Sequence, residues 1–181
     1  MSLLQVLRVG DIDTDLCCSV AASLGAILSV RCEVVPQVLD PAFAYHGERL
    51  QYHSSELLRR MQSSLGSGGW RLLGLTSVDL YIPILTFVFG EAQMDGPCAL
   101  ASSYRLRQEA YGLPPSPEVL RERLLKEAIH ELGHTLQLTH CEDYRCAMSS
   151  SHSVERIDLK ENTFCGHCRQ QASPALSLLS S

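Results

Sequence analysis

Residues 128–148 read AIHELGHTLQLTHCEDYRCAM, so three histidines, a glutamate, two cysteines and a methionine fall in one short run. His130 and His134 are four residues apart; on an α-helix they project from one face and can bind one metal ion through their imidazole nitrogens. Glu131 follows the first of them, where its carboxylate can reach a metal-bound water without being a ligand. At the residue frequencies of this chain, His-Glu-x-x-His arises by accident in roughly 2 cases in 100, and a third histidine at His140 lowers that below about 1 in 1000. A solvated helix with incidental histidines is the competing reading, and it gives no reason for the cysteine pair that follows.

Upstream, Ser116 before Pro117 and Glu118 is a strong helix start: an N-cap oxygen, a proline at the first helical position and a carboxylate in the first turn. The predicted helix turns Val119, Leu120, Leu124, Ala128 and Leu132 toward a core and carries the histidines near its end. Gly133 costs about 1 kcal/mol in a helix interior, which is accounted for if the helix there approaches another backbone closely.

The first hundred residues alternate strand and helix patterns. Leu3 to Val9 is a short apolar strand, and Asp13 or Thr14 caps an Ala/Leu-rich helix to about Leu28. Arg31 to Val38 is a strand that Pro36 confines to an edge or strand end. A polar loop with His46 and His53, read as solvated, leads to a helix capped by Ser54 and closed by Gly66, Gly68 and Gly69. Trp70 to Tyr81, Ile84 to Glu91 and Cys98 to Arg107 supply three more strands, divided by Pro83 and by a turn at Asp95 to Pro97. The expected fold is α/β: a mixed, twisted five-stranded sheet with flanking helices and a small C-terminal region. Residues 1–137 form a sheet-and-helix subdomain that ends with the active-site helix, and 138–181 a C-terminal subdomain; the serine-rich tail from Ala172 is read as flexible.

With 181 residues, 45% hydrophobic and 19% charged, the chain can bury one substantial core. A net charge of -5 without a long basic run argues against nucleic-acid or anionic-membrane partners. The first residues lack a signal-peptide pattern and no apolar run approaches a membrane span, so the expectation is a cytoplasmic protein, read as a monomer. In a reducing compartment the eight cysteines stay free for metal. Cys17, Cys18, Cys32 and Cys98 read as small buried hydrophobes. Cys141, Cys146, Cys165 and Cys168 form C-x4-C and C-x2-C pairs separated by 18 residues, which suits one four-thiolate zinc site, with two disulfides as the alternative.

The run His130-Glu131-x-x-His134, His140, Cys141, Cys146, Met148 and the Cys165/Cys168 pair resembles the archaemetzincins, a branch of the metzincin zinc peptidases; LYIPILTFVFGEAQ and the segment around SYRLRQEAYGLP are also similar to that family. The resemblance implies that His130, His134 and His140 bind a catalytic zinc, that Glu131 is general base and acid, and that Met148 lies beneath the metal. It also implies a second, structural zinc on Cys141, Cys146, Cys165 and Cys168, and a peptide or protein substrate extended along Leu85 to Gln93, leaving endo- and aminopeptidase action both open.

The chemistry agrees. Three neutral imidazoles leave zinc its full charge and an open position, where a bound water ionises near neutral pH and Glu131 can take its proton and pass it to the leaving amine. No oxyanion donor besides zinc is identifiable: Tyr104, Tyr111 and Tyr144 are candidates by chemistry alone and read first as structural, and His152 and His167 are not read as ligands. The alternative class is a zinc-held binding or scaffolding module with a weak or lost hydrolytic site. One position departs from the family: Gln137 stands where it has glycine at the turn that brings in the third ligand. If Gln137 is left-handed, the cost is roughly 1 to 2 kcal/mol, small beside zinc-site binding energies of about 10 kcal/mol.

Overall fold

Even- and odd-numbered residues of the first strand are both apolar, the mark of a parallel strand covered on both faces. The computed structural model, which describes residues 3–66, 68–94 and 96–177, places that strand inside a five-stranded sheet, with a parallel neighbour on each side. In chain order the elements are β1 (Leu3–Val9), α1 (Thr14–Leu28), β2 (Arg31–Leu39), β3 (Tyr45–His46), β4 (Gln51–His53), α2 (Ser54–Met61), β5 (Gly69–Thr76), β6 (Leu80–Tyr81), β7 (Gly90–Ala92), β8 (Cys98–Ser102), α3 (Pro117–Thr135), α4 (Val154–Leu159) and α5 (Gly166–Ser177). The main sheet runs β2-β1-β5-β8-β7, parallel except for β7, which pairs antiparallel with β8 and forms one edge.

Leu4, Val6, Leu73 and Leu75 face one core with α1 and α3, while Leu7, Val9 and Leu72 face the other with Leu57, Leu58 and Met61 of α2. Helix α1 buries Cys17, Val20, Ala21, Leu24 and Leu28, a helical stripe. Asp13 caps its start by accepting from Asp15 N, and left-handed Ser29 ends it. In α3, Ser116 is the N-cap, its Oγ accepting from Val119 N at 3.4 Å, and Leu124, Leu125, Ala128, Ile129 and Leu132 are buried. No helix among the described residues is long and apolar enough to cross a membrane.

Several expectations need correction. The strand expected over Trp70 to Tyr81 is two, because Thr76 Oγ accepts from Val78 N and turns the chain out of the main sheet. β6 then joins β3 and β4 in a second, three-stranded sheet that no long sequence run announces. The stretch Ile84 to Glu91 is strand only from Gly90, since the segment after Pro83 turns (Leu85 N to Ile82 O, 3.0 Å). β8 stops at Ser102, where Ser102 Oγ bonds Val78 O and Tyr104 N instead of continuing the ladder. Ser54 does not cap α2; His53 holds that position, and the single proton of Ser54 Oγ lies between two acceptors, Tyr81 O and the Glu91 carboxylate. His53 is half-buried, stacked on Tyr81, rather than freely solvated. Within the serine-rich tail, residues 172–177 belong to α5, and Ala172 is buried; residues 178–181, like Asp95 of the expected turn, lie outside the described residues.

Candidate metal centre

The last turns of α3 put His130, Glu131 and His134 beneath the sheet edge at β7. The helix then ends as a Schellman turn: Gln137 N donates to His134 O (2.9 Å) and Leu138 N to Gly133 O (3.1 Å), with Gln137 at φ 65°. The turn that needs a left-handed residue is therefore made by glutamine. It returns the chain so that His140 faces the helix, its ring 5.3 Å from that of His130 and 5.1 Å from that of His134. Because the native backbone at this position already carries the left-handed cost, Gln137→Gly is expected to raise stability by about 0.5–1 kcal/mol after the extra chain entropy of glycine is charged, readable as a higher Tm with activity retained. A lower Tm would contradict this account of the turn.

Hydrogen bonds fix the imidazole tautomers. His130 Nδ1 lies 2.8 Å from Ala147 O, and His134 Nδ1 2.8 Å from Leu138 O; carbonyls only accept, so both Nδ1 atoms carry the proton. Both Nε2 atoms then present lone pairs, yet they face each other at 3.1 Å. In neutral imidazoles that arrangement is repulsive unless a cation sits between them. Two nitrogens about 2.0–2.1 Å from a tetrahedral zinc are about 3.3 Å apart, so the pair fits such an ion. Burial pushes all three histidines below the usual imidazole range, which keeps them neutral and available as ligands. One nitrogen from each of the three rings lies within 4.8 Å of the others, a group able to hold a metal ion.

Glu131 is 6% exposed, and burial, then Glu127 and Glu91, push its carboxyl well above the usual range, with Lys160 opposing. A Cβ added at Gly90 would lie 2.7 Å from Glu131 Cγ and 2.5 Å from Leu100 O, so glycine in the edge strand makes the room that Glu131 occupies. Under the histidines, Met148 is fully buried, and a Cβ at Gly133 would run into its Sδ and into Phe164. The space at Gly133 thus serves side chains, not a second backbone as its helix position suggests. Sequence reasoning missed the buried pair Glu127 and Lys160 (3.4 Å), where Lys160 Nζ also donates to Ala147 O, the carbonyl that His130 uses. Spacing could have flagged Glu127, one helical turn before His130 and Glu131; nothing local marks Lys160.

An open cleft of about 370 Å³ runs over this group, with Leu85 to Gly90 along it and Glu127, His130, Glu131, His140, Ser150, Ser151 and His152 completing the lining. Tyr104, Tyr111 and Tyr144 are not among these residues, and Tyr111 Oη donates to Arg105 O instead. His152 sits in the wall of the cleft outside the three-histidine group, and His167 is exposed on α5.

The second cluster begins at the residue after His140. The sulfurs of Cys141, Cys146, Cys165 and Cys168 are within 4.8 Å of one another, with Cys141 and Cys165 at 3.8 Å, close to the roughly 3.8 Å between sulfurs each about 2.3 Å from a tetrahedral zinc. Cys146 Sγ accepts from Met148 N and Cys165 N, and Cys165 Sγ from Cys168 N. These N–H donors favour thiolates, and Cys168 N above all holds the Cys165 thiol below its usual range, whereas burial pushes the Cys146 and Cys168 thiols up. The four sulfurs meet at one point, an arrangement that two separate disulfides would not require.

Comparison with known proteins agrees with this geometry. The model of peptidase family M54 matches residues 36–173. An archaemetzincin from Methanocaldococcus jannaschii is 44% identical over 160 residues, covering 88% of this chain and 87% of that protein, and one from Halobacterium salinarum is 32% identical over 169 residues, covering 92% and 96%. Among solved structures, an archaemetzincin from Methanopyrus kandleri superposes with a TM-score of 0.83 at 35% identity, covering 97% of this chain and 96% of that one. A zinc-dependent peptidase from Methanocorpusculum labreanum superposes with a TM-score of 0.82 at 27% identity, covering 93% and 99%. By sequence over more than half its length and by fold over nearly all of it, the chain belongs to peptidase family M54, the archaemetzincins.

Proposed function

We propose that in this zinc-dependent metallopeptidase His130, His134 and His140 hold the catalytic zinc, Glu131 moves the proton, and Cys141, Cys146, Cys165 and Cys168 hold a second zinc that is structural, two ions per chain. The observation that carries this reading is the pair of Nε2 lone pairs facing each other at 3.1 Å while both Nδ1 protons are committed to carbonyls. Zinc bound there would supply a Lewis acid that acidifies water, polarises the scissile carbonyl and offsets the cost of ionising buried Glu131. Glu131 takes the proton of the attacking water and returns it to the departing amine, without which an amide is too poor a leaving group. Ala147 O and Leu138 O hold the imidazoles so that Nε2 faces inward.

The substrate lies extended along Leu85 to Gln93. Phe89 O accepts from Ser102 N, Gln93 N donates to Cys98 O, and Glu91 sits opposite Leu100, so these three residues turn their main-chain groups to β8. Gly90 and Ala92, alternating with them, turn theirs to the free edge, where a peptide can pair. A binding module would have no use for a buried carboxylate beside the ligands, which disfavours a purely scaffolding role. The free cysteines suit a reducing compartment such as the cytoplasm. The test is a peptide-library digestion with zinc-loaded and chelator-stripped protein: cleavage is expected only when zinc is present, and equal cleavage or none in both would refute the reading.

A further inference from the structure

The segment along the cleft is held from behind by a device that the zinc chemistry does not use. Arg49 Nη2 donates to Leu85 O (2.8 Å) and Thr86 O (3.1 Å), and its Nε donates to Gln51 Oε1 (3.0 Å). Gln51 Nε2 in turn donates to Thr86 O (2.9 Å) and to Asp79 Oδ2 (3.1 Å), and Asp79 is gripped by Nε and Nη2 of Arg105, each at 2.7 Å. The Arg49 guanidinium lies 4.2 Å over the Tyr81 ring, and that of Arg105 4.3 Å over Phe87. Between Arg49 and Gln51 sits Leu50, left-handed at φ 56° and 72% exposed. A leucine in that conformation is disfavoured, and burial does not explain it; the twist sends the side chains on either side of it to the same loop.

In a planar trans peptide the N–H points opposite to the C=O. Leu85 O and Thr86 O both point to Arg49, which is not part of the cleft lining, so the N–H groups of Thr86 and Phe87 point the other way, and both of those residues line the cleft. Neighbouring N–H groups on this segment are used, Leu85 N by Ile82 O and Val88 N by Leu80 O, but Thr86 N and Phe87 N make no hydrogen bond among the described residues. Two successive N–H groups on one side form a small concave donor site suited to an oxygen carrying negative charge.

We propose that Arg49 is a positioning residue that aims the Thr86 and Phe87 amides at a main-chain carbonyl oxygen of the bound peptide. This rests on the reading that the substrate lies along Leu85 to Gln93. It gives the three-stranded sheet a role: β3 and β4 and their turn carry the clamp, and the strain at Leu50 aims it.

The test measures binding without turnover. Acetyl-Ala-Ala-Leu-Leu-Ala-Ala-amide and copies with a single thioamide, a weaker acceptor, are titrated calorimetrically into zinc-loaded full-length Glu131→Gln, with and without Arg49→Met. Arg49→Met is expected to weaken binding about tenfold and Arg49→Lys, which keeps charge but loses the fork, about threefold, each with unchanged zinc content. One thioamide position should cost about tenfold with Arg49 present and less than twofold in Arg49→Met. Peptide affinity in Arg49→Met equal to that with Arg49 intact, or a thioamide penalty that persists in Arg49→Met, overturns the clamp. Absence of peptide binding even with Arg49 intact overturns the substrate reading on which it rests. If Arg49→Met proves poorly folded by its Tm, the same comparison made with Arg49→Lys decides.

Discussion

Glu131→Gln is expected to lower the rate of peptide hydrolysis by about 10²–10⁴, the usual contribution of a positioned acid-base group, while zinc binding and Tm stay close to those of the parent. The substitution keeps the shape of a side chain that has little room: Gly90 lies against it on one side and α3 holds it on the other. What is lost is the ability to take a proton from water and deliver it to the amine. Glutamine can still hydrogen-bond water, so KM should change less than kcat. The imidazoles are oriented by Ala147 O and Leu138 O and not by Glu131, so metal affinity is not expected to fall. Equal rates for parent and Glu131→Gln would exclude Glu131 from the proton transfer; a large loss of zinc would make it a ligand.

The second large effect concerns stability. Cys165→Ser combined with Cys168→Ser is expected to cost at least about 4 kcal/mol, or about 10–15 °C in Tm for a chain of this size, because structural zinc sites contribute on the order of 10 kcal/mol to folding. The region's other anchors are local: α4 is six residues long and is held by Val154, Ile157 and the paired contacts of Arg123 with Asp158 (2.8 and 2.7 Å), while Lys160 with Glu127, Phe164 and Ala172 tie the rest to the core. Activity should fall as well. Cys141 follows His140 directly, and Cys141 N donates to Met148 O at 2.9 Å, so loss of the cysteine site releases both the third histidine and the methionine under the metal. Differential scanning calorimetry with metal analysis checks this; an unchanged Tm with one zinc lost would show that the cysteines bind metal without supporting the fold.

The grouping of the candidate site's residues was legible because its signals are local. His130 and His134 share a helix face through a four-residue spacing, and each cysteine pair is a short loop. The order of strand and helix was legible from apolar runs and from caps such as Asp13 and Ser116. Hidden features depend on long-range contact. Lys160 meets Glu127 from 33 residues away, and Arg49 reaches Leu85 from 36, so no window of sequence links them. The three-stranded sheet is built from strands of two or three residues, too short to show a period. Gln137 is a different case: its side chain gives no sign of a left-handed turn, which the glycine of the similar family at this place and the need for His140 to return to the helix suggest instead.

The most direct measurement is anomalous diffraction at the zinc edge from crystals of the zinc-loaded protein. The account predicts two peaks per chain, one about 2.0–2.1 Å from a ring nitrogen of each of His130, His134 and His140, the other about 2.3 Å from the four cysteine sulfurs. A zinc with His140 more than about 3 Å away, or no peak between the histidines, would contradict it.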